Sequence, residues 1–170
     1  MRAQTRSRGL LSVGPFSNNP ISPALSGDIH TARILVSCGR GLENRKGFDL
    51  AVQVAEAISA QIVGTRAAHD AGWISHDREL GLSGARLAPD LYIGCGVSGT
   101  NFHTIGMKNS KYIIAINHDP LARIFTMADI CIVDDVKSVL HALLQSIKKQ
   151  ECFPDEPSII SYLIQHFSDT

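Results

Sequence analysis

Between residues 32 and 133 the chain repeats one pattern five times: a short apolar run that stops at a glycine or a polar residue. The runs are ARILVS (32–37), QIVGT (61–65), DLYIG (90–94), KYIIAIN (111–117) and ADICIV (128–133). They are nearly continuous in apolar character rather than alternating, which is how strands buried on both faces read. The segments between them behave differently. FDLAVQVAEAISA (48–60) places Phe48, Val52, Ala55 and Ile58 at helical spacing, and VKSVLHALLQSIKK (136–149) is amphipathic with lysines in its last turn. A short helix is expected near 100–108. Residues 66–89 hold Gly72, Gly81, Gly84 and Pro89 without a clean period, so they read as loop with one or two helical turns. Short buried strands joined by helices imply right-handed crossovers and a parallel sheet. The expected fold is α/β: a Rossmann-like open parallel sheet of about five strands with helices on both faces.

This organisation assigns residues 31–150 to one domain, a size that suits a single core. Residues 1–30 carry arginines and serines and lack acids before Asp28. They read as a disordered leader or linker, with an organellar transit peptide as the other reading. Residues 151–170 open on the Phe153-Pro154 and Pro157 break and continue as SIISYLIQHF, a tail with the makings of a short amphipathic helix. The 16 basic and 16 acidic residues balance, which argues against a dedicated nucleic-acid binder. No apolar stretch approaches the ~20 residues of a membrane span. Cys38, Cys95, Cys131 and Cys152 form no C-x-x-C pair. They are expected as buried free thiols in a reducing compartment, with no metal site.

In open parallel sheets ligands sit beyond the carboxyl ends of the strands. Here every strand end delivers a polar or charged group: Arg40 after the first, Thr65 and Arg66 after the second, Ser98, Gly99 and His103 after the third, Asn117 after the fourth, and Asp134-Asp135 after the fifth. Each also has a plainer reading, as a surface charge, a turn glycine or, for Asp134 or Asp135, a helix cap. GCGVSG (94–99) matches G-x-G-x-x-G, a pattern that cradles a dinucleotide pyrophosphate but is weak alone. A nicotinamide site wants a carboxylate at the end of the next strand, where this chain has Asn117. A standard NAD-dependent enzyme is therefore the least favoured reading.

The stretch LYIGCGVSGTNFHTIGMKNSKYIIAIN, with ILVSCGRGL, GTRAAHDAGW, LGLSGARLAPDLY, AINHDP and ADICIVDD, resembles the electron-transfer flavoprotein alpha subunit over roughly residues 33–149. The resemblance is to the C-terminal FAD-binding domain, a DHS-like nucleotide-binding domain that a longer N-terminal domain normally precedes. It implies FAD as cofactor and Arg40 in the first contacting turn. Thr65 stands where serine is common, and Arg66 matches the arginine against the flavin ring. Leu80, Gly81, Leu82 and Ser83 match the segment whose hydroxyl bonds flavin N5. Ser98, Gly99, Thr100, Asn101, Phe102 and His103 match the phosphate and ring turn, with His103 near flavin O2. Asn117, Asp135 and Val136 match contacts on the adenosine side.

The resemblance further implies an electron carrier rather than an enzyme, with no catalytic residue of its own. Its partners would be a beta subunit, dehydrogenases such as those of fatty acid beta-oxidation, and a quinone-linked oxidoreductase. The expected compartment is the cytoplasm, with the mitochondrial matrix as alternative. Three departures stand out. Leu82 and Phe102 replace glutamines usual in the family, Ser83 replaces a threonine, and the chain is too short to include the N-terminal domain, which bears on pairing with a beta subunit. An adenine-nucleotide-binding module without redox activity is the alternative these departures motivate.

Overall fold

A computed structural model describes residues 21–149 and, beyond them, Ser161 alone. The expected tail apart from Ser161, with its Cys152, and the first twenty residues of the expected leader lie outside the described residues. The elements run α1 (Pro23–Ser26), β1 (Ile34–Cys38), α2 (Arg45–Ala57), β2 (Gln61–Gly64), α3 (Arg66–Asp70), β3 (Leu91–Cys95), α4 (Asn101–Thr104), β4 (Tyr112–Asn117), β5 (Ile130–Val133) and α5 (Val136–Lys149). Three 3-10 turns, Arg40–Leu42, His76–Arg78 and Arg123–Thr126, lie between them. All five strands pair in parallel in the order β2-β1-β3-β4-β5. The chain is thus an α/β protein with a Rossmann-like open sheet.

Side-chain alternation divides the core in two. Ile34, Val36, Cys38, Ile62, Leu91, Ile93, Cys95, Ile114, Ile116 and Ile132 pack on one face with α2 and α5. Both long helices therefore cover that face. The opposite face, with Leu35, Val63, Tyr92, Ile113 and Ala115, is covered by Leu80, Val97, Met107 and Ile124 from short turns and loops. Helices do flank both faces, but unequally. The thin cover on the second face leaves its loops free to shape a binding site.

Three expectations change. The expected leader ends early, because residues 23–29 belong to the folded body: Ala24 and Ile29 are buried, and Ser22 caps α1 by accepting from the Ala24 N–H. Buried Arg78 donates to the carbonyls of Gly27 (2.6 Å), Ile62 (2.8 Å) and Ala24 (3.3 Å), tying this segment to β2. Cys38 and Cys95 are buried free thiols as expected, but Cys131 is exposed. It lies on β5, the edge strand, where alternate residues face outward. The helix expected over 48–60 is set earlier, because Asn44 caps α2 by accepting from Gly47 N–H at 3.1 Å.

Candidate cofactor cleft

The strand order reverses direction between β1 and β3: β2 lies on one side of β1, and β3 and the later strands lie on the other. At such a point neighbouring connections part and open a crevice at the carboxyl ends. The turns after β1 and β3 meet there. Gly39 N–H donates to the Cys95 carbonyl at 2.9 Å, and Gly41 N–H to the Gly96 carbonyl at 3.0 Å. Gly96 has φ +64, and a Cβ on it would lie 2.6 Å from Gly41 Cα. Only glycine lets the two turns approach this closely.

A cleft of about 870 Å³ opens above these turns, within the ~300–1,000 Å³ typical of small-molecule sites. Arg40 enters it from the first turn, and Thr65 and Arg66 from the end of β2. Leu80, Leu82 and Ser83 supply a second wall, and Ser98, Thr100, Phe102 and His103 a third. The remaining expected residues of these two walls serve the backbone. Gly81 lets the 80–83 wall dock on α4, since a Cβ there would meet the Phe102 carbonyl at 2.2 Å, and Leu82 N–H donates to that same carbonyl at 2.7 Å. Gly99 (φ +83) packs on Ile124 N, and Asn101 opens α4.

Three features define the chemistry of the cleft. Thr65 Oγ1 is buried and has no hydrogen-bond partner. A buried orphan hydroxyl is costly and marks a place where a ligand atom would complete the site. Arg66 brings positive charge; Asp70 holds its Nε at 2.8 Å, and this pairing raises the guanidinium pKa still further. Ser83 Oγ donates to Glu79 Oε1 at 2.7 Å, placing a hydroxyl and a buried carboxylate in one wall.

His103 lines the cleft, but its nitrogens are committed elsewhere. Nε2 is 2.8 Å from the Tyr92 hydroxyl, and Nδ1 is 3.2 Å from the Leu80 carbonyl. A carbonyl only accepts, so Nδ1 carries the proton, and Tyr92 donates to Nε2. Burial drives the imidazole pKa down to about 4, so the ring is neutral at ordinary pH. With these partners His103 has no N–H left for a cofactor oxygen. Its part is to lock α4 against β3 and the 80–83 wall.

Asn117, Asp135 and Val136 lie outside the cleft, along the rim at β4 and β5. Asn117 Nδ2 donates to the Val97 carbonyl (2.9 Å), and its Oδ1 accepts from Asp119 N–H (3.0 Å), bracing the third turn from beneath. Asp135 Oδ2 accepts from both the N–H and the hydroxyl of Ser138 at 2.9 Å, which caps α5 and holds the carboxyl pKa low. Val136 opens α5 and is buried in the core. Glu79, Asp70 and Ala67 also line the cleft and were not singled out by sequence reasoning, and Gly96 and Val97 of the G-x-G-x-x-G stretch line it too. Glu79 had the one usable signal, an acid directly before the Leu80–Ser83 segment.

The cleft fits a flavin nucleotide. It joins an apolar enclosure for a ring system to an orphan hydroxyl, two guanidinium groups, and serine and threonine hydroxyls beside a glycine turn suited to phosphate. Comparison with known proteins points the same way. Residues 28–108 match the family model described as "Electron transfer flavoprotein FAD-binding domain". The mitochondrial electron transfer flavoprotein subunit alpha of Dictyostelium discoideum is 41% identical over 124 residues, covering 73% of this chain and 35% of that protein. The subunit alpha of Bacillus subtilis is 41% identical over 122 residues, covering 72% and 38%. The probable mitochondrial subunit alpha of Caenorhabditis elegans is 42% identical over 135 residues, covering 79% and 41%. The chain thus spans well under half the length of these relatives. Residues 28–108 are identified as an electron transfer flavoprotein FAD-binding domain of the alpha-subunit type.

Proposed function

We propose that this chain binds FAD and carries electrons between dehydrogenases and a downstream acceptor such as a quinone-linked oxidoreductase. The observation that carries this reading is the orphan Thr65 hydroxyl beside Arg66 in the cleft at the switch point. Bound FAD would supply the redox chemistry, and the protein supplies position and field. Thr65 and Ser83 offer hydroxyls to polar edges of the flavin ring. Arg66 favours negative charge within its reach, and its pairing with Asp70 fixes where that charge is felt. Ser98, Thr100 and Arg40 take the phosphates. Neighbouring strands lie ~4.8 Å apart, so β5 is about 10 Å beyond β3. An extended dinucleotide seated in the cleft would then bring its adenosine end along the rim of Asn117, Asp135 and Val136.

A beta subunit is the proposed partner, as for the family, whether or not a further domain accompanies this one. Among the described residues no helix is long and apolar enough to cross a membrane. The cytoplasm or the mitochondrial matrix is the proposed compartment; the relatives include mitochondrial and bacterial proteins. One observation favours the second reading, an adenine-nucleotide module without redox activity. Leu82 and Phe102 are exposed apolar residues, at 55% and 69%, in cleft positions where the family resemblance implies glutamine.

A titration separates the two readings. On the first, the full chain takes up one FAD with a shift in flavin absorbance. Protein that stays colourless in excess FAD yet binds AMP by calorimetry is the module instead.

A further inference from the structure

The outer wall of the cleft contains a cluster that FAD binding does not explain. His69 on α3, His76 on the following 3-10 turn, and Glu79 each offer one ligand atom, and these atoms all lie within 4.8 Å of one another. Glu79 Oε2 is 3.4 Å from His76 Nδ1 and 4.0 Å from His69 Nδ1. The two imidazole rings stand edge to face, 5.5 Å between centroids.

Burial makes this arrangement demanding. Glu79 is only 2% exposed, and its Oε2 has no hydrogen-bond partner. His69 Nδ1 is also buried without one. A buried carboxylate with an orphan oxygen is unfavourable unless a cation neutralises it. Arg78, adjacent in sequence, is spent on the carbonyls of Ala24, Gly27 and Ile62. Arg66 is engaged by Asp70. That leaves two orphan acceptors and a third ligand on exposed His76 facing each other across a gap.

We infer that His69, His76 and Glu79 form a binding site for a divalent transition-metal ion of the zinc or cobalt type. Two imidazole nitrogens and one carboxylate oxygen are a borderline donor set, which suits these ions and not calcium or magnesium, whose ligands are oxygens. Metal–ligand bonds of about 2.0–2.2 Å put tetrahedral ligands roughly 3.3 Å apart. The 3.4 Å contact already meets that spacing; the 4.0 Å contact and the His69–His76 pair, up to 4.8 Å apart, close by rotation of half-buried His69 and exposed His76. Three protein ligands leave a fourth position for water. Ligation requires both imidazoles neutral and the carboxylate ionised, so the three ligands of a bound dication would together carry one negative charge.

Such an ion would pin α3, which starts at Arg66, to the segment that starts the Leu80–Ser83 wall. Glu79 Oε1 already accepts from Ser83, so occupancy would stiffen the wall. The inference does not depend on FAD, because all three ligands belong to this chain and are placed without it.

Chelator-treated full-length chain, free of FAD, should take up one Co²⁺ with the visible absorption of a four-coordinate site, and Zn²⁺ should displace it. His76→Asn, at an exposed position that leaves the fold intact, and Glu79→Gln, which keeps the side chain's shape, should each weaken Co²⁺ binding at least tenfold. Zn²⁺ should raise the melting temperature of the parent chain and not that of His76→Asn. Absence of Co²⁺ uptake at millimolar metal would overturn the site. Uptake equal in the parent and both variants would overturn it too, by placing the metal elsewhere.

Discussion

The two halves of the carboxyl rim carry similar polar residues and treat them in opposite ways. At β4 and β5, Asn117 has both amide atoms bonded within the protein, and Asp135 is held by Ser138. At β1, β2 and β3, Thr65 Oγ1 and Glu79 Oε2 are buried with no partner, around an open cleft. A polar residue at a strand end is therefore not a site by itself. What marks a site is polar capacity left unspent at a place the fold keeps concave. On this view the cleft half takes the flavin end of FAD, and the β4–β5 half is a finished edge along which the adenosine end lies.

The largest effect expected comes from His103, the exception within the cleft half, whose bonds are all internal. Unfolded, its imidazole takes a proton near the ordinary 6.5; folded, only near 4. The unfolded state thus binds more protons across that window, so stability falls as pH drops from about 6.5 toward 4. The slope approaches ~1.4 kcal/mol per unit and the total roughly 3 kcal/mol. His103→Leu should flatten that part of the pH profile, as read by denaturant melts at several pH values. A slope unchanged in the variant would show that folding does not depress the His103 pKa.

Asn117→Ala comes next. It strips partners from the Val97 carbonyl and the Asp119 N–H, costing about 2 kcal/mol in thermal or urea unfolding. Thr65→Val should do the reverse: it removes an orphan hydroxyl, so stability is kept or gained, while FAD and FMN affinity both fall by ~1 kcal/mol, about fivefold. Asp135→Ala should cost ~1 kcal/mol of stability as a lost cap. It should also weaken FAD and spare FMN, which has no adenosine. If Asp135→Ala weakens FMN as much as FAD, the division of the rim is wrong. The smallest effect belongs to Phe102→Gln, which should tighten FAD by no more than about fivefold. Its gain should depend on the residue at 82, because Leu82 N–H donates to the Phe102 carbonyl.

How much of this the sequence carries follows from which contacts are periodic. Strands buried on both faces appear as apolar runs, and all five fall where those runs predict, within a residue or two. α5 spans the predicted Val136–Lys149, since one face of it meets the core and the other meets water. Rim positions could be read because a parallel sheet sends every strand end to the same edge. Contacts between distant segments leave no such trace. Residues 23–29 dock through backbone carbonyls that Arg78 seeks out, and carbonyls are the same for any sequence. The Tyr92–His103 bond joins a strand to a helix, with Tyr92 hidden inside an apolar run. The His69, His76 and Glu79 cluster is spread over a helix, a turn and a bridge, with a spacing that matches no metal pattern until the loop is folded.

The central claim, that the cleft half receives the flavin, is tested most directly by hydrogen–deuterium exchange of the full chain with and without FAD. Backbone amides in 65–67, 79–83 and 96–103 should slow on adding FAD, whereas AMP alone should protect only 117–119 and 134–138. Unchanged exchange in the three cleft segments under saturating FAD would contradict the claim.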